Sequence, residues 1–557
     1  MTYSNYRRYQ FMTSFIRLIL LLVVIQVGYG CTVSPDSESL KNEAANSNLI
    51  ATPVMTVTPV SDSPPELFKG SITAIVSADI FNRDIHQSIS ETLVSRGPGI
   101  SYSRLLKLKT GPAVEQPSLI LECDLCKSWE IIDPVTYRFQ LRKDVAWHDV
   151  NPFKSRSLVA DDLVYSYERQ RTDGWPNGSI LWAMDEVVAD GDLTLQFDLK
   201  YPDVDFLFAV ADGHSKIVSR DVVETYGGLN NSPVVGTGPW VWLKTEIGVG
   251  SDFEANLNYF YPELPLLQHL SFRVIQDPDT QFAAFVTGAV DIYDVPHSSW
   301  DKFSTQSSEY TTLFAKQGGK GLVLTVNSSK PPFNDLKARR LLFGSLEPWK
   351  YLESHWNGYG SVNLGIPIME VSWLLEPTEL QPFFELNHTE ISTASSSIDF
   401  DILIADYGDV YIDMAEAIVN DLNQSGLNSR MVILNPEQYA EKVWGEGEFQ
   451  SFLGPLPITH GPNNYLFANL HSAGRWNIIG HSDVVLDQLI ETQNGIKETH
   501  ERGLAFKEIQ LHLLDKAYMV GIGTNGNLWA TQNRVQGFYP TGYLSEYGFW
   551  MHTRLDS

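Results

Sequence analysis

Thirteen histidines, three cysteines and a scatter of carboxylates are the side chains through which this chain could do chemistry. Cys123-Asp124-Leu125-Cys126 has a CxxC spacing, which suits a tight disulfide, half of a zinc site or a redox pair. A zinc site needs a second pair of ligands, and none stands at a suitable spacing. Nothing beside the pair looks like a thioredoxin motif, so an inert pair, oxidised or not, is expected. His460 and His471 are eleven apart, with His481 ten further on. Imidazoles suit nickel, but nothing in this spacing supports a site, and no metal or cofactor is expected. No Gly-x-Ser-x-Gly elbow, Walker loop or His-Glu-x-x-His occurs. Asp161-Asp162 has a simpler role, because acids in a first helical turn are favoured by the helix dipole.

The elements that must position these groups are short strands mixed with modest helices. Phe68 to Ser77 reads as an entry strand. Tyr137-Arg138-Phe139-Gln140-Leu141 and Leu193 to Leu199 alternate apolar with polar, the period of a half-buried strand. Val159 to Arg169 reads as a helix, and so does Thr280 to Thr287, with Asp279 as its cap and Gly288 as its stop. From Ile398 to Leu434 the pattern is strand, helix, strand. Phe400 to Ala405 is the first strand, and Asp413 with Glu416 is spaced as a capping box. Met414, Ile418 and Leu422 share one helical stripe, Gly426 ends the helix, and Met431 to Leu434 is the second strand. That order predicts a right-handed parallel crossover, hence an α/β lobe.

Length and charge bound the rest. The chain has 557 residues and a net charge of -27, with 43% hydrophobic and 19% charged residues. It is a folded globular composition, and so acidic a surface repels nucleic-acid phosphates. The first 30 residues carry Arg7, Arg8 and Arg17, no acid, and an apolar run from Leu18 to Ile25. This is an export-signal pattern, and eight apolar residues fall short of the about 20 needed to span a bilayer. Cys31 follows Val27-Gly28-Tyr29-Gly30, which resembles a bacterial lipobox and implies lipidation at Cys31. Residues 32 to 65 are rich in Ser, Pro, Asp, Glu, Asn and Thr, the composition of a flexible tether.

Eight further segments, in order, resemble the peptide- and nickel-binding family of extracytoplasmic solute-binding proteins, bacterial family 5. Ser128-Trp129-Glu130 leads to Tyr137-Arg138-Phe139-Gln140-Leu141-Arg142. Val145-Ala146-Trp147-His148-Asp149 and Ala160 to Arg169 are similar to the family's "FHDG … ADDVVYSxxR" signature. Pro233-Val234-Val235-Gly236-Thr237-Gly238-Pro239-Trp240 resembles its "PVGTGPY" turn. Asn256 and Tyr259 fit an "NPxYW" box with Phe260 in the tryptophan position, and Phe272 to Ile275 leads through Asp277 to Gly288 and Asp291. Lys330-Pro331-Pro332-Phe333-Asn334-Asp335 with Arg339 looks like "PPFxDxxxR", and Val535-Gln536-Gly537-Phe538 closes the series. Ser345 to Trp349 departs from the family's pattern.

The resemblance implies an α/β fold of two lobes around a cleft, periplasmic-binding-protein-like of type II with an extra subdomain, the lobes joined by two crossing strands. It implies a signal peptide over 1–30, a lipidated start and tether over 31–65, lobe I over 66–317, lobe II over 318–522, and a return to lobe I over 523–557. The implied function is the substrate-binding subunit of an ABC importer, a monomer that captures a peptide or similarly sized solute and delivers it to a permease and its ATPase. No catalysis and no nucleic acid are expected. By carry-over, Tyr293 and Asp294 line the cleft from lobe I, and Leu453, Gly454, Thr459 and His460 from lobe II. Tyr102, Thr524, Asn525 and Trp529 join them by their place near the lobe edges. Peptide-binding relatives carry an aspartate in the lobe II loop, yet none stands between Phe449 and Gly461. His148 is read as a scaffold residue. Two other readings stand beside this one. The first is a secreted carboxylate-dependent hydrolase, needing two acids about 5–10 Å apart. The second is a peptide-sensing or chaperone-like lipoprotein without an importer.

Overall fold

The computed structural model describes residues 70–114, 120–303, 308–315, 321–356, 358, 360–366, 371–385, 398–406, 409–454, 461–474, 476–524, 527–541 and 546–556. The signal, Cys31 and the tether therefore lie outside the described residues.

Three sheets organise the body. A seven-stranded mixed sheet runs in the order Tyr310–Ala315, Asn527–Gln532, Ile292–Val295, Ser71–Val76, His269–Val274, Gly250–Ala255, Trp240–Glu246. Its centre is parallel: Ser71–Val76 pairs in parallel with both His269–Val274 and Ile292–Val295. The connection between those two flanking strands is the helix Pro278–Val286. Its cap is Asp277, whose Oδ1 accepts from Thr280 N–H at 2.8 Å, and not Asp279. Pro278 explains the shift: it fits the first helical turn, where its missing N–H costs nothing.

An antiparallel four-stranded sheet forms the subdomain, in the order Cys126–Asp133, Thr136–Leu141, Thr194–Leu199, Met184–Ala189. The alternation read in the sequence is realised here, with Tyr137, Phe139 and Leu141 buried and Arg138 and Gln140 exposed. The first of these strands begins at a disulfide, Cys123–Cys126, whose Cα atoms are 5.0 Å apart.

A five-stranded sheet builds the second lobe, in the order Asn428–Leu434, Asp399–Ala405, Ser451–Gly454, Gly321–Val326, Met519–Thr524. The predicted crossover is present, with Asp399–Ala405 parallel to Asn428–Leu434 over seven register pairs. The helix between them spans Asp409–Gln424. It starts a turn before the expected capping box, so Asp413 and Glu416 are interior helical positions. Met414, Ile418 and Leu422 are fully buried on its inner stripe. The chain passes from the seven-stranded to the five-stranded sheet between 315 and 321, and back between 524 and 527. Leu322, Leu324 and Ile522 are fully buried. Each contributes roughly 1.5–3 kcal/mol by leaving water, which anchors the two strands next to the passages in the second lobe's core.

Candidate functional site

Ligands of open α/β sheets sit beyond the carboxyl ends of the parallel strands. Asp294 stands near that end of Ile292–Val295, directly opposite Trp529 in the antiparallel pairing. Opposed residues project from one face, so the carboxylate and the indole lie side by side. Arg96, the last residue of the helix Glu91–Arg96, completes the group. Its Nη1 donates to Asp294 Oδ2 at 2.6 Å, and its guanidinium lies 5.3 Å from the Trp529 ring centroid. Burial pushes the Asp294 carboxyl up, while the charge and hydrogen bond of Arg96 pull it back down. The two side chains keep 18% and 23% of their surface exposed. A guanidinium has five N–H donors in a fixed fork, so the group can still present donors to a solute.

The structure thus brings Asp294 and Trp529 together and adds Arg96. Arg96 carried no motif: it ends a six-residue helix, and only the fold brings it to Asp294, 198 positions away. Tyr293, expected in the cleft, is a core residue. Successive strand residues point to opposite faces, so if Asp294 faces the group, Tyr293 turns inward. Its ring packs 5.7 Å from Phe285 and 5.8 Å from Phe303, and burial pushes its hydroxyl up to about 12. Tyr102 is likewise buried, and its carbonyl accepts the Tyr547 hydroxyl at 3.1 Å. The turn before it is locked by Gly236, where a Cβ would stand 1.9 Å from Ser101 O.

In the second lobe, Leu453 and Gly454 end the strand Ser451–Gly454 and are buried. A Cβ on Gly454 would meet the Tyr439 hydroxyl at 2.5 Å, which explains a glycine there. Thr524 ends the returning strand, opposite Gly321. Thr459, His460 and Asn525 lie outside the described residues.

His148 is a scaffold group. Gly236 N–H donates to its Nδ1 at 3.4 Å, which puts the proton on Nε2, 2.9 Å from the Gly238 carbonyl it donates to. Burial pushes its pKa down to about 4. His471 contacts Glu491 at 3.5 Å, and His481 Nε2 contacts the Leu470 carbonyl at 2.5 Å. Among the described residues no group of three or more His, Cys, Asp or Glu could hold a metal.

The feature sequence reasoning missed is a buried seam between the lobes. Asp203 and Asp205, in the subdomain, insert their carboxylates into the second lobe. Asp205 Oδ1 accepts from Arg502 Nη1 at 2.6 Å and its Oδ2 from Asn463 N–H at 2.6 Å. Asp203 Oδ1 accepts from Asn463 Nδ2 at 3.0 Å. Gln493 links the rest, donating to Asn463 Oδ1 at 2.8 Å and accepting from Arg502 Nε at 3.1 Å. Arg502 and Asp205 are only 5% and 4% exposed. Buried charges persist only when paired and hydrogen-bonded, and this network meets that condition. Desolvation, with the neighbouring Asp205 charge, pushes the Asp203 carboxyl up to about 6. The only sequence signal was the Asp203-Val204-Asp205 spacing, which also suits a helix start.

Comparison with known proteins agrees with this architecture. Residues 121–477 match the family model described as bacterial extracellular solute-binding proteins, family 5 Middle. The chain is 24% identical to the heme-binding protein A of Haemophilus influenzae over 80% of this chain and 86% of that one. It is 24% identical to the dipeptide-binding protein of Escherichia coli over 78% and 86%. The solved structure of HbpA2 from Haemophilus parasuis superposes with a TM-score of 0.75 at 20% identity, covering 88% of this chain and all of that one. With a matched segment spanning more than half its length and the two-lobed fold throughout, the chain belongs to family 5 of the bacterial extracellular solute-binding proteins.

Proposed function

We propose that this protein is the substrate-binding subunit of an ABC importer, which captures a peptide or similarly sized solute outside the membrane and delivers it to the permease and its ATPase. The observation that carries this reading is the seam: two lobes, linked covalently by two strand crossings, meet through side chains that hydrogen-bond across it. Such a body opens and closes as two rigid parts, and a ligand that prefers the closed state draws it shut. No bond need break. The names of the relatives, which include heme-, dipeptide- and nickel-binding proteins, support a transport role without choosing the cargo. In this reading the mature protein starts at a lipidated Cys31, is tethered through residue 65, and works as a monomer. Lobe I spans 66–317, lobe II 318–522, and the return 523–557.

The cargo end is read from the Arg96–Asp294–Trp529 group. Asp294 is engaged by Arg96, and no aspartate stands between Phe449 and Gly461. A peptide amine therefore lacks the lone carboxylate it would want, whereas the Arg96 guanidinium suits an anionic or carbonyl-bearing group. The test is native mass spectrometry of ligand co-purified with the protein, followed by calorimetry with that compound and a turnover assay. Saturable binding without turnover is expected. Turnover of the compound, or of a peptide or glycoside panel, would support the hydrolase instead.

A further inference from the structure

A cavity of about 450 Å3 lies on the seam, separate from the Arg96–Asp294–Trp529 group, none of whose residues line it. Tyr137, Leu207 and Phe208 wall it from the subdomain, and Trp373, Gly495 and Ile496 from the second lobe. Asp203 and Arg502 of the interlobe network, together with Asn494, Lys497 and Thr499, supply its polar edge. The volume lies in the range of small-molecule sites, and an apolar wall with a few polar groups is their usual composition.

We propose that this seam cavity is a second ligand site, one that takes an uncharged aromatic molecule and is complete only when the lobes are closed. Three of the walls are aromatic. Trp373 is itself held rigid, its ring 4.9 Å from Phe506 and 5.5 Å from the Arg502 guanidinium. Tyr137 is braced 4.9 Å from Phe206. Pre-set rings of this kind favour offset or edge contacts with another ring. The charges at the edge argue for a neutral occupant. A cation would meet Arg502 and Lys497, and an anion would meet Asp203, whereas Arg502 is already matched to Asp205.

Because the walls come from both lobes, occupancy and closure are linked. A molecule in the seam stabilises the closed form, and whatever opens the seam weakens its binding equally. The inference rests on the lobes closing as two bodies, but not on what the cleft carries.

The experiment uses the purified protein and the uncharged dye N-phenyl-1-naphthylamine, which brightens in apolar surroundings. Wild type is expected to give a saturable signal. Gly495→Trp should occlude the cavity, because Gly495 lines it, and the change is tolerated there because an added Cβ meets only the Thr492 carbonyl, at 3.5 Å. Binding should weaken by about tenfold or more in that variant and also in Asp205→Ala, which opens the seam. Circular dichroism checks that both variants fold. If the dye fails to bind wild type, or binds both folded variants as tightly, the proposal is overturned. The co-purified cargo serves as a control. Its binding should survive Gly495→Trp without displacing the dye; competition between the two would show one shared site and refute a second. Failure to find any cargo would count against the transport reading and leave the dye result standing.

Discussion

Arg502 Nη1 lies 2.6 Å from Asp205 Oδ1, although the two residues are 297 positions apart and sit in different lobes. With Asn463 and Gln493 they close the interface from inside. The lobes therefore carry part of their own closing force, in addition to whatever a ligand adds.

Removing one partner of this pair should cost more than removing both. Asp205→Ala leaves the Arg502 charge buried, a loss of about 3–5 kcal/mol from the closed form. Small-angle scattering should show a larger radius of gyration for the unliganded variant than for wild type. Asp205→Ala combined with Arg502→Met should recover much of the compact form. If the single variant scatters like wild type, the seam does not hold the lobes.

Closure should also depend on pH through Asp203. Its carboxyl is raised from 3.8 to about 6. A raised acid binds more protons in the closed than in the open or unfolded state, so it favours closure fully below about pH 4 and loses that effect as pH rises through 6. The shift of about two pH units corresponds to about 3 kcal/mol at most. The groups facing Asp203 are Asp205 beside it, Arg502 and Asn463 across the seam, Tyr137, which donates to its carbonyl, and Lys497 on the same cavity wall. Denaturation midpoints measured between pH 4.5 and 7.5 should fall with pH in wild type and fall less in Asp203→Asn. Equal slopes in the two proteins would exclude Asp203 as the titrating group.

Asp294→Ala should weaken cargo binding without unfolding the protein. The change frees Arg96 to turn away from Trp529, and the lost charge-assisted bond orients a group worth about 1.5–3 kcal/mol, or roughly ten- to hundredfold in affinity. Both side chains are partly exposed, so the melting temperature should move little. Calorimetry with the co-purified ligand decides: unchanged affinity removes Asp294 from the site.

Cys31→Ser should yield an unlipidated protein that is released from membranes. Fractionation after an alkaline wash, with mass spectrometry of the mature N-terminus, measures this. A variant that stays membrane-bound would refute the lipobox reading.

Much of the scaffold was legible in the chain. The alternation over Tyr137–Leu141 and the strand–helix–strand of 399–434 follow from side-chain periodicity, which local geometry enforces whatever the surroundings. Caps were less legible. Asp277 and Asp279 are chemically equal, and only Pro278 between them decides which one caps. The candidate site was half legible: carry-over from the family led to Asp294 and a place near the lobe edge to Trp529, which are cross-strand partners, while the same carry-over led to Tyr293, whose inward orientation depends on which strand face the helices cover.

By itself the sequence determined the strand and helix patterns inside the lobes, the family and the acidic character of the body, because each depends on composition, on short-range pattern or on motifs that recur in order. Only the tertiary structure decided that Arg96 engages Asp294, that Asp203 and Asp205 bury themselves against Asn463 and Arg502, and that an apolar cavity remains beside them. These contacts join residues roughly two to three hundred positions apart. Their direct pairing offsets the cost of losing water around the buried charges, and no local pattern encodes which distant partners supply that pairing.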